Sequence, residues 1–165
     1  MKKKAWMTVL LSVMLTGCAT QQERAERMAE TRKAVNEAVE KRQWNIDVNS
    51  MHTMRYGSKM VSSDFSLELR NDTLISYLPY LGQAQRAPMM SPSQGLNFVA
   101  PVLHYRQQKK KEHQYEIEID VRTQEDTYKY WIELFDTGEA SIRVNANNRD
   151  PIDFGGSMSV SLPAK

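Results

Sequence analysis

The sequence predicts a mainly β (α+β) protein, an antiparallel β-sandwich or partly closed barrel of about eight strands, preceded by one N-terminal helix. Three observations carry this. Residues 21–42 hold neither Gly nor Pro and repeat mixed charges at helical spacing. After Trp44 the hydrophobic period shortens to two. The alternating runs that follow are short and separated by turn residues, as in antiparallel hairpins.

Ahead of the helix stands a leader. Met1-Lys2-Lys3-Lys4 supplies positive charge, and residues 5–15 carry none. Such a basic start, a short apolar run and small residues before a cut are the parts of a secretory signal. The apolar run reaches only about 16 Å as a helix, roughly half a bilayer core, so it does not span. Leu15-Thr16-Gly17-Cys18 resembles the bacterial lipobox. The resemblance implies a diacylglyceryl thioether on Cys18, cleavage after residue 17, and Cys18 as the acylated N-terminus. Two or more acyl chains give stable anchoring, where one holds weakly. Ala19 follows the cysteine, and no aspartate retention signal is present. By that resemblance the protein belongs to the outer membrane, facing the periplasm. The expected division is therefore 1–17 signal peptide, 18–43 lipidated N-terminus and helical spacer, and 44–165 β domain.

Charge and cysteine content exclude several classes. The full chain of 165 residues carries a formal +2. Lys2, Lys3 and Lys4 leave with the leader, so the mature chain has 22 − 3 basic groups against 20 acidic ones. Nothing there attracts nucleic acid. A lone cysteine forms neither a disulfide framework nor a four-cysteine zinc site. A mean hydropathy of −0.60 excludes a multi-spanning membrane protein.

The helix is justified by its pairs and its stripe. Glu23 with Arg27 and Glu37 with Lys41 are spaced i,i+4 with the acid first, the favourable order. Ala25, Met28, Ala29, Val35, Ala38 and Val39 form a narrow apolar stripe. The stripe lacks the large apolar residues of a membrane-lying helix. A solvated spacer about 33 Å long, packed on the domain by its C-terminal half, is the expected role.

The strands follow in order. Ile46, Val48 and Ser50 alternate with Asn45, Asp47 and Asn49. Phe65, Leu67 and Leu69 form the next run, and Asn71-Asp72 suits a tight hairpin because both residues tolerate positive φ. Residues 73–80 return, with Pro79 ending the strand or lying at an edge. Residues 81–101, with Gly82, Pro88, Pro92, Gly95 and Pro101, are expected to form a long irregular loop. Tyr115, Ile117, Ile119 and Val121 alternate with Glu116, Glu118, Asp120 and Arg122, the clearest strand of the chain. Residues 127–135, 140–146 and 152–162 complete the set, with a bulge or bend at Gly155-Gly156. Trp131 and Phe135 lie on the nominally wet face of their strand. The helix, with Trp44 at its end, is the expected cover, and the alternative is an exposed aromatic platform.

No motif carries a reaction. There is no phosphate loop, no GxSxG and no HExxH. His104 and His113 flank a hairpin and can approach, but a third ligand is missing, so no metal and no cofactor is expected. His113 beside Glu112 fits a solvated turn. Lys109-Lys110-Lys111 fits a hairpin tip. Most acidic residues, such as Asp126 and Asp136, fall at turns, where short carboxylates cap the backbone.

Several stretches form a set. They are Asp72-Thr73-Leu74, Tyr77-Leu78-Pro79-Tyr80-Leu81-Gly82-Gln83-Ala84, Gly95-Leu96-Asn97-Phe98, Phe135-Asp136-Thr137-Gly138 and Val144-Asn145-Ala146-Asn147-Asn148-Arg149. With the lipobox and the charged helix, this set resembles the bacterial lipoprotein family known as domain of unknown function 4251, over roughly residues 32–158. The resemblance implies a secreted, lipid-anchored β-rich domain and no catalytic residue or cofactor. From the residues themselves, Asn145, Asn147 and Asn148 are expected to order the last loop through side-chain bonds. Tyr77, Tyr80 and Phe98 are expected to line a groove beneath the long loop.

The functional expectation is a membrane-anchored bacterial envelope lipoprotein acting as a non-enzymatic binding or structural module. Its partners would be the membrane, through acylated Cys18, and an unknown protein or envelope component. The alternative is a periplasmic carrier of a small apolar ligand inside a barrel.

Overall fold

The computed structural model describes residues 16–62, 64–82 and 95–159. Residues 1–15 of the leader and the middle of the expected long loop, residues 83–94, lie outside the described residues. So do the last residues of the final expected strand.

Helix α1 (Thr16–Glu40) comes first. It stops where Arg42 turns into the left-handed region at φ 53, a turn that halts helical hydrogen bonding. Arg27 pairs with Glu23 at 2.7 Å and Lys41 with Glu37 at 3.4 Å. Residues 21–30 are exposed throughout. Val35 and Val39, one turn apart on one face, are 0 % exposed and belong to the main core. The expected helix forms, and it packs on the domain by its C-terminal half. Only that half of the apolar stripe is buried, since Met28 remains 51 % exposed.

The strands are β1 (Gln43–Thr53), β2 (Gly57–Met60), β3 (Ser66–Arg70), β4 (Thr73–Leu78), β5 (Leu96–Lys111), β6 (Gln114–Arg122), β7 (Thr127–Phe135), β8 (Glu139–Ala146) and β9 (Ile152–Met158). From β3 to β9 each pairs with the next, β1 pairs with β3, and β9 returns to pair with β1. Eight antiparallel strands therefore close into a barrel. Closure removes the open edges a sandwich would leave. β2 is an extra strand, paired to the C-terminal part of β1.

Local sequence explains the corners. Asn71 and Asp72 adopt φ 47 and 61, the hairpin geometry their side chains tolerate. β4 ends at Leu78, immediately before Pro79. The expected irregularity at Gly155-Gly156 falls instead on the partner strand. Val48 pairs with Gly156 and Ser50 with Gly155, which leaves Asn49 as the bulged residue of β1. A Cβ on Gly156 would collide with the Asp47 carbonyl, so the close approach of β1 needs glycine there.

One element departs from expectation. Residues 96–101, expected as loop, begin the longest strand, β5. Its first part pairs with β4 through Thr73↔Pro101, and its second part pairs with β6 from Val102 onward. Pro101 thus sits where β5 changes neighbours, a place that tolerates a missing N–H. The Val102 N–H next to it donates to the Asp72 carbonyl at 2.8 Å.

The inward positions fill the barrel. Ile46, Leu67, Leu74, Ile119, Tyr130 and Ile132 are among those fully buried. The buried Tyr130 hydroxyl is satisfied, donating to Ser76 at 3.2 Å, while Ser76 donates to the Leu96 carbonyl at 2.7 Å. At the mouth, Tyr115 donates to Asn36 of α1 at 2.7 Å. Arg32 of α1 meets the buried Asp136 carboxylate at 2.9 Å, and His113 Nδ1 lies 2.6 Å from the same oxygen. His113 sits in the exposed turn between β5 and β6, as expected, and from there it also contacts the carboxylate that holds the helix.

The helix does not cover Trp131. It docks at the mouth, through β1, Tyr115 and Asp136. Trp131 lies midway along β7 on the outer face, between Glu118 and Arg143, and lines an open groove.

Candidate functional site

The residues singled out in the sequence fall in three places. Cys18 lies within the range of α1, and its backbone is helical. Tyr77 and Phe98 occupy opposite faces. Along β4, Leu74, Ser76 and Leu78 point inward, so Tyr77 points outward, where it stacks on Phe65 at 5.5 Å. Phe98 pairs with the inward Ser76 and stacks on Tyr128 at 4.9 Å. The two rings therefore do not line one groove. The reason is register: Phe98 is placed by pairing across a long connection, which alternation within β5 does not reveal.

Tyr80 and Phe98 do share one end of the barrel, joined through a residue not assigned a role in the sequence. Arg149 has a side chain only 7 % exposed. Its guanidinium lies 5.2 Å from the centre of the Tyr80 ring, meets Glu125 at 3.3 Å and donates to the Gly95 carbonyl at 3.4 Å. Burial raises the pKa of Tyr80 and of Tyr128, and the Arg149 charge opposes both shifts. Beside it, the buried Asp126 carboxylate accepts from the backbone N–H groups of Thr127, Asn147 and Asn148 at 2.8, 3.2 and 3.0 Å. The loop before β9 is thus ordered by Asp126, rather than by the asparagine side chains. Asp126 does the backbone capping its turn position suggested. These contacts lock the barrel end.

The second region is on the outside. Trp131, Glu133, Ser141, Arg143, Asn145 and Asp153 line an open groove of about 510 Å³. An adjoining groove of similar volume includes His104, Asp120, Lys129, Trp131 and Asn145. Arg143 grips Asp153 with two bonds, at 2.7 and 3.0 Å. That carboxylate holds the Arg143 guanidinium pKa above its ordinary value. The Lys129 ammonium lies 3.6 Å from Asp120 and 5.6 Å from the Trp131 ring centre. The Asn145 Oδ1 is buried and has no hydrogen-bond partner among the described residues. The sequence signal for this groove was the pair of large aromatics on a nominally wet face, of which Trp131, half-buried, lines it.

His104 and His113 are not brought together. His104 pairs with Asp120, while His113 sits at the hairpin tip beyond Lys111. At about 3.3 Å per strand residue, more than 20 Å of β5 separates them. Among the described residues, no group of three metal-ligating side chains converges. No helix among them is long and apolar enough to cross a membrane.

The family model for a domain of unknown function, DUF4251, matches residues 26–158. The chain belongs to the DUF4251 family. The matched span runs from the exposed half of α1 to the end of β9. The chain is also similar in fold to a DUF4251 family protein from Bacteroides eggerthii DSM 20697. The two are 13% identical, with a TM-score of 0.58 over 78% of this chain and 86% of the other. No curated protein sequence matches this DUF4251 chain.

Proposed function

We propose that this DUF4251 chain is a membrane-anchored bacterial envelope lipoprotein whose barrel is a non-enzymatic binding module. The observation that carries the anchor is Leu15-Thr16-Gly17-Cys18 placed after a basic and apolar leader. Acylated Cys18 then tethers the mature chain to the outer membrane, with the barrel in the periplasm. Helix α1 is the spacer. From Cys18 to Val35, where the helix enters the core, a continuous helix extends about 25 Å. The exposed, mixed-charge residues 21–30 suit that role.

The binding reading rests on the grooved exterior, set against inward positions that large side chains occupy. A carrier of a small apolar ligand needs room among the inward positions, which Tyr128, Tyr130, Ile132 and Leu134 occupy on β7 alone. Three carboxylates of the outer face, Glu118, Asp120 and Asp153, are engaged in ion pairs with Arg106, Lys129 and Arg143, which supports a stabilising use for them.

Growth with radioactive fatty acid tests the anchor. The wild-type chain is expected to take up label, and Cys18→Ser to take up none. Label persisting on Cys18→Ser would overturn the assignment.

A further inference from the structure

We infer that the outer groove across β7 binds a neutral oligosaccharide laid over Trp131. The inference rests on the binding-module reading and is independent of the lipid anchor.

The platform is rigid. Trp131 lies in the middle of a strand paired on both sides, with Glu118 and Arg143 in register beside it. Its polar neighbours are fixed too. Arg143 is locked by two bonds to Asp153, and Lys129 is held between Asp120 and the indole. A site whose donors and acceptors are already in place loses little freedom on binding.

The chemistry selects the ligand class. The groove walls offer two cations, Lys129 and Arg143, against Asp120, Glu133 and Asp153. An acidic excess repels phosphate and sulfate polymers. Charged walls also disfavour an acyl chain, because desolvating them without a polar partner is costly. A neutral sugar meets both features. Its C–H face lies on the flat apolar indole. Its hydroxyls both donate and accept, so they match carboxylates and cations together. Asn145 lines both grooves, and its Oδ1, which has no hydrogen-bond partner among the described residues, is an acceptor that a sugar hydroxyl satisfies. The two grooves meet at Trp131 and Asn145 and run from β5 to β9. That is about four strand spacings, on the order of 19 Å, a length for a chain of several sugar units rather than one ring.

The test uses the full chain in detergent micelles on an array of neutral hexose and N-acetylhexosamine oligosaccharides, with polyphosphate and dextran sulfate alongside. Retention of a neutral oligosaccharide is expected. Trp131→Ala should weaken it by roughly tenfold or more, and Trp131→Phe, which keeps a ring, by much less. Unchanged near-UV circular dichroism certifies the fold of each variant. Retention of the polyanions alone, a silent array, or affinity indifferent to Trp131→Ala overturns the inference. A photo-crosslinking residue at Ser141 in living cells separates the two levels. If the array is silent but Ser141 traps a protein, the saccharide falls and the binding module stands. If both are silent, both fall.

Discussion

The two faces of β7 differ sharply. Tyr128, Tyr130, Ile132 and Leu134 point inward and are buried, while Lys129, Trp131 and Glu133 point outward onto the groove. Six of these seven residues follow the simple rule of apolar inside and polar outside. Trp131 breaks it, and so does Phe135 at the strand's end, 36 % exposed. The inner face shows what holds the barrel closed, and Trp131 lies in the groove proposed to take a ligand.

Substitutions on the two faces should therefore separate stability from binding. Tyr130→Ala removes a fully buried ring and is expected to cost about 3–5 kcal/mol, enough to unfold much of the population. Chemical denaturation measures it. Trp131→Ala, one residue away, should shift stability far less than its neighbour does. Equal losses at the two positions would erase the distinction between the faces.

The barrel end gives the next effect. Asp126→Ala strips three backbone N–H groups of their acceptor, a loss of about 1–3 kcal/mol. Amide exchange at Asn147 and Asn148 should accelerate more than exchange along β7. The helix supplies a parallel contrast. Val35→Ala should cost about 2 kcal/mol, because the side chain is wholly buried, whereas Met28→Ala on the exposed half should stay within about 0.5 kcal/mol. Similar midpoints for the two would mean that α1 does not dock as described.

The smallest effect is acidic. Glu116 has its pKa held below the ordinary 4.5, first by the Lys110 hydrogen bond and then by Gln108. A depressed carboxylate stabilises the fold above its unfolded value, and that contribution disappears as pH falls through the folded value. Glu116→Gln should flatten the pH dependence of the melting temperature slightly below pH 4.5. Because the Lys110–Glu116 pair lies on the outer face of the barrel, the change should be small and should shrink further in salt.

Where one face is buried and one wet, sequence and structure agree. β6 alternates from Tyr115 to Arg122 and forms as expected. The Asn71-Asp72 hairpin and the stop at Pro79 were equally local and equally legible. β5 was hidden for physical reasons. It carries a proline where it changes neighbours, and its second half has little buried surface to impose a period. The extra strand β2 is short and mostly exposed, so it leaves no pattern either. Closure was illegible because the β9–β1 pairing joins the two ends of the domain. The candidate site divides the same way. Asp126 at a turn was readable as a capping carboxylate, and Trp131 as an anomaly. The convergence of Arg149 with Tyr80, and the separation of Tyr77 from Phe98, depend on register between strands distant in sequence.

One measurement tests outside against inside directly. Amide and side-chain NMR shifts can be followed on the full chain in micelles during titration with whichever neutral oligosaccharide the array retains. The account predicts that the Trp131 indole N–H and the Asn145 side-chain amide move together, while Ser76, Leu96 and Tyr130 stay still. Shifts concentrated on Ser76, Leu96 and Tyr130, with Trp131 unmoved, would place the ligand inside the barrel and contradict it.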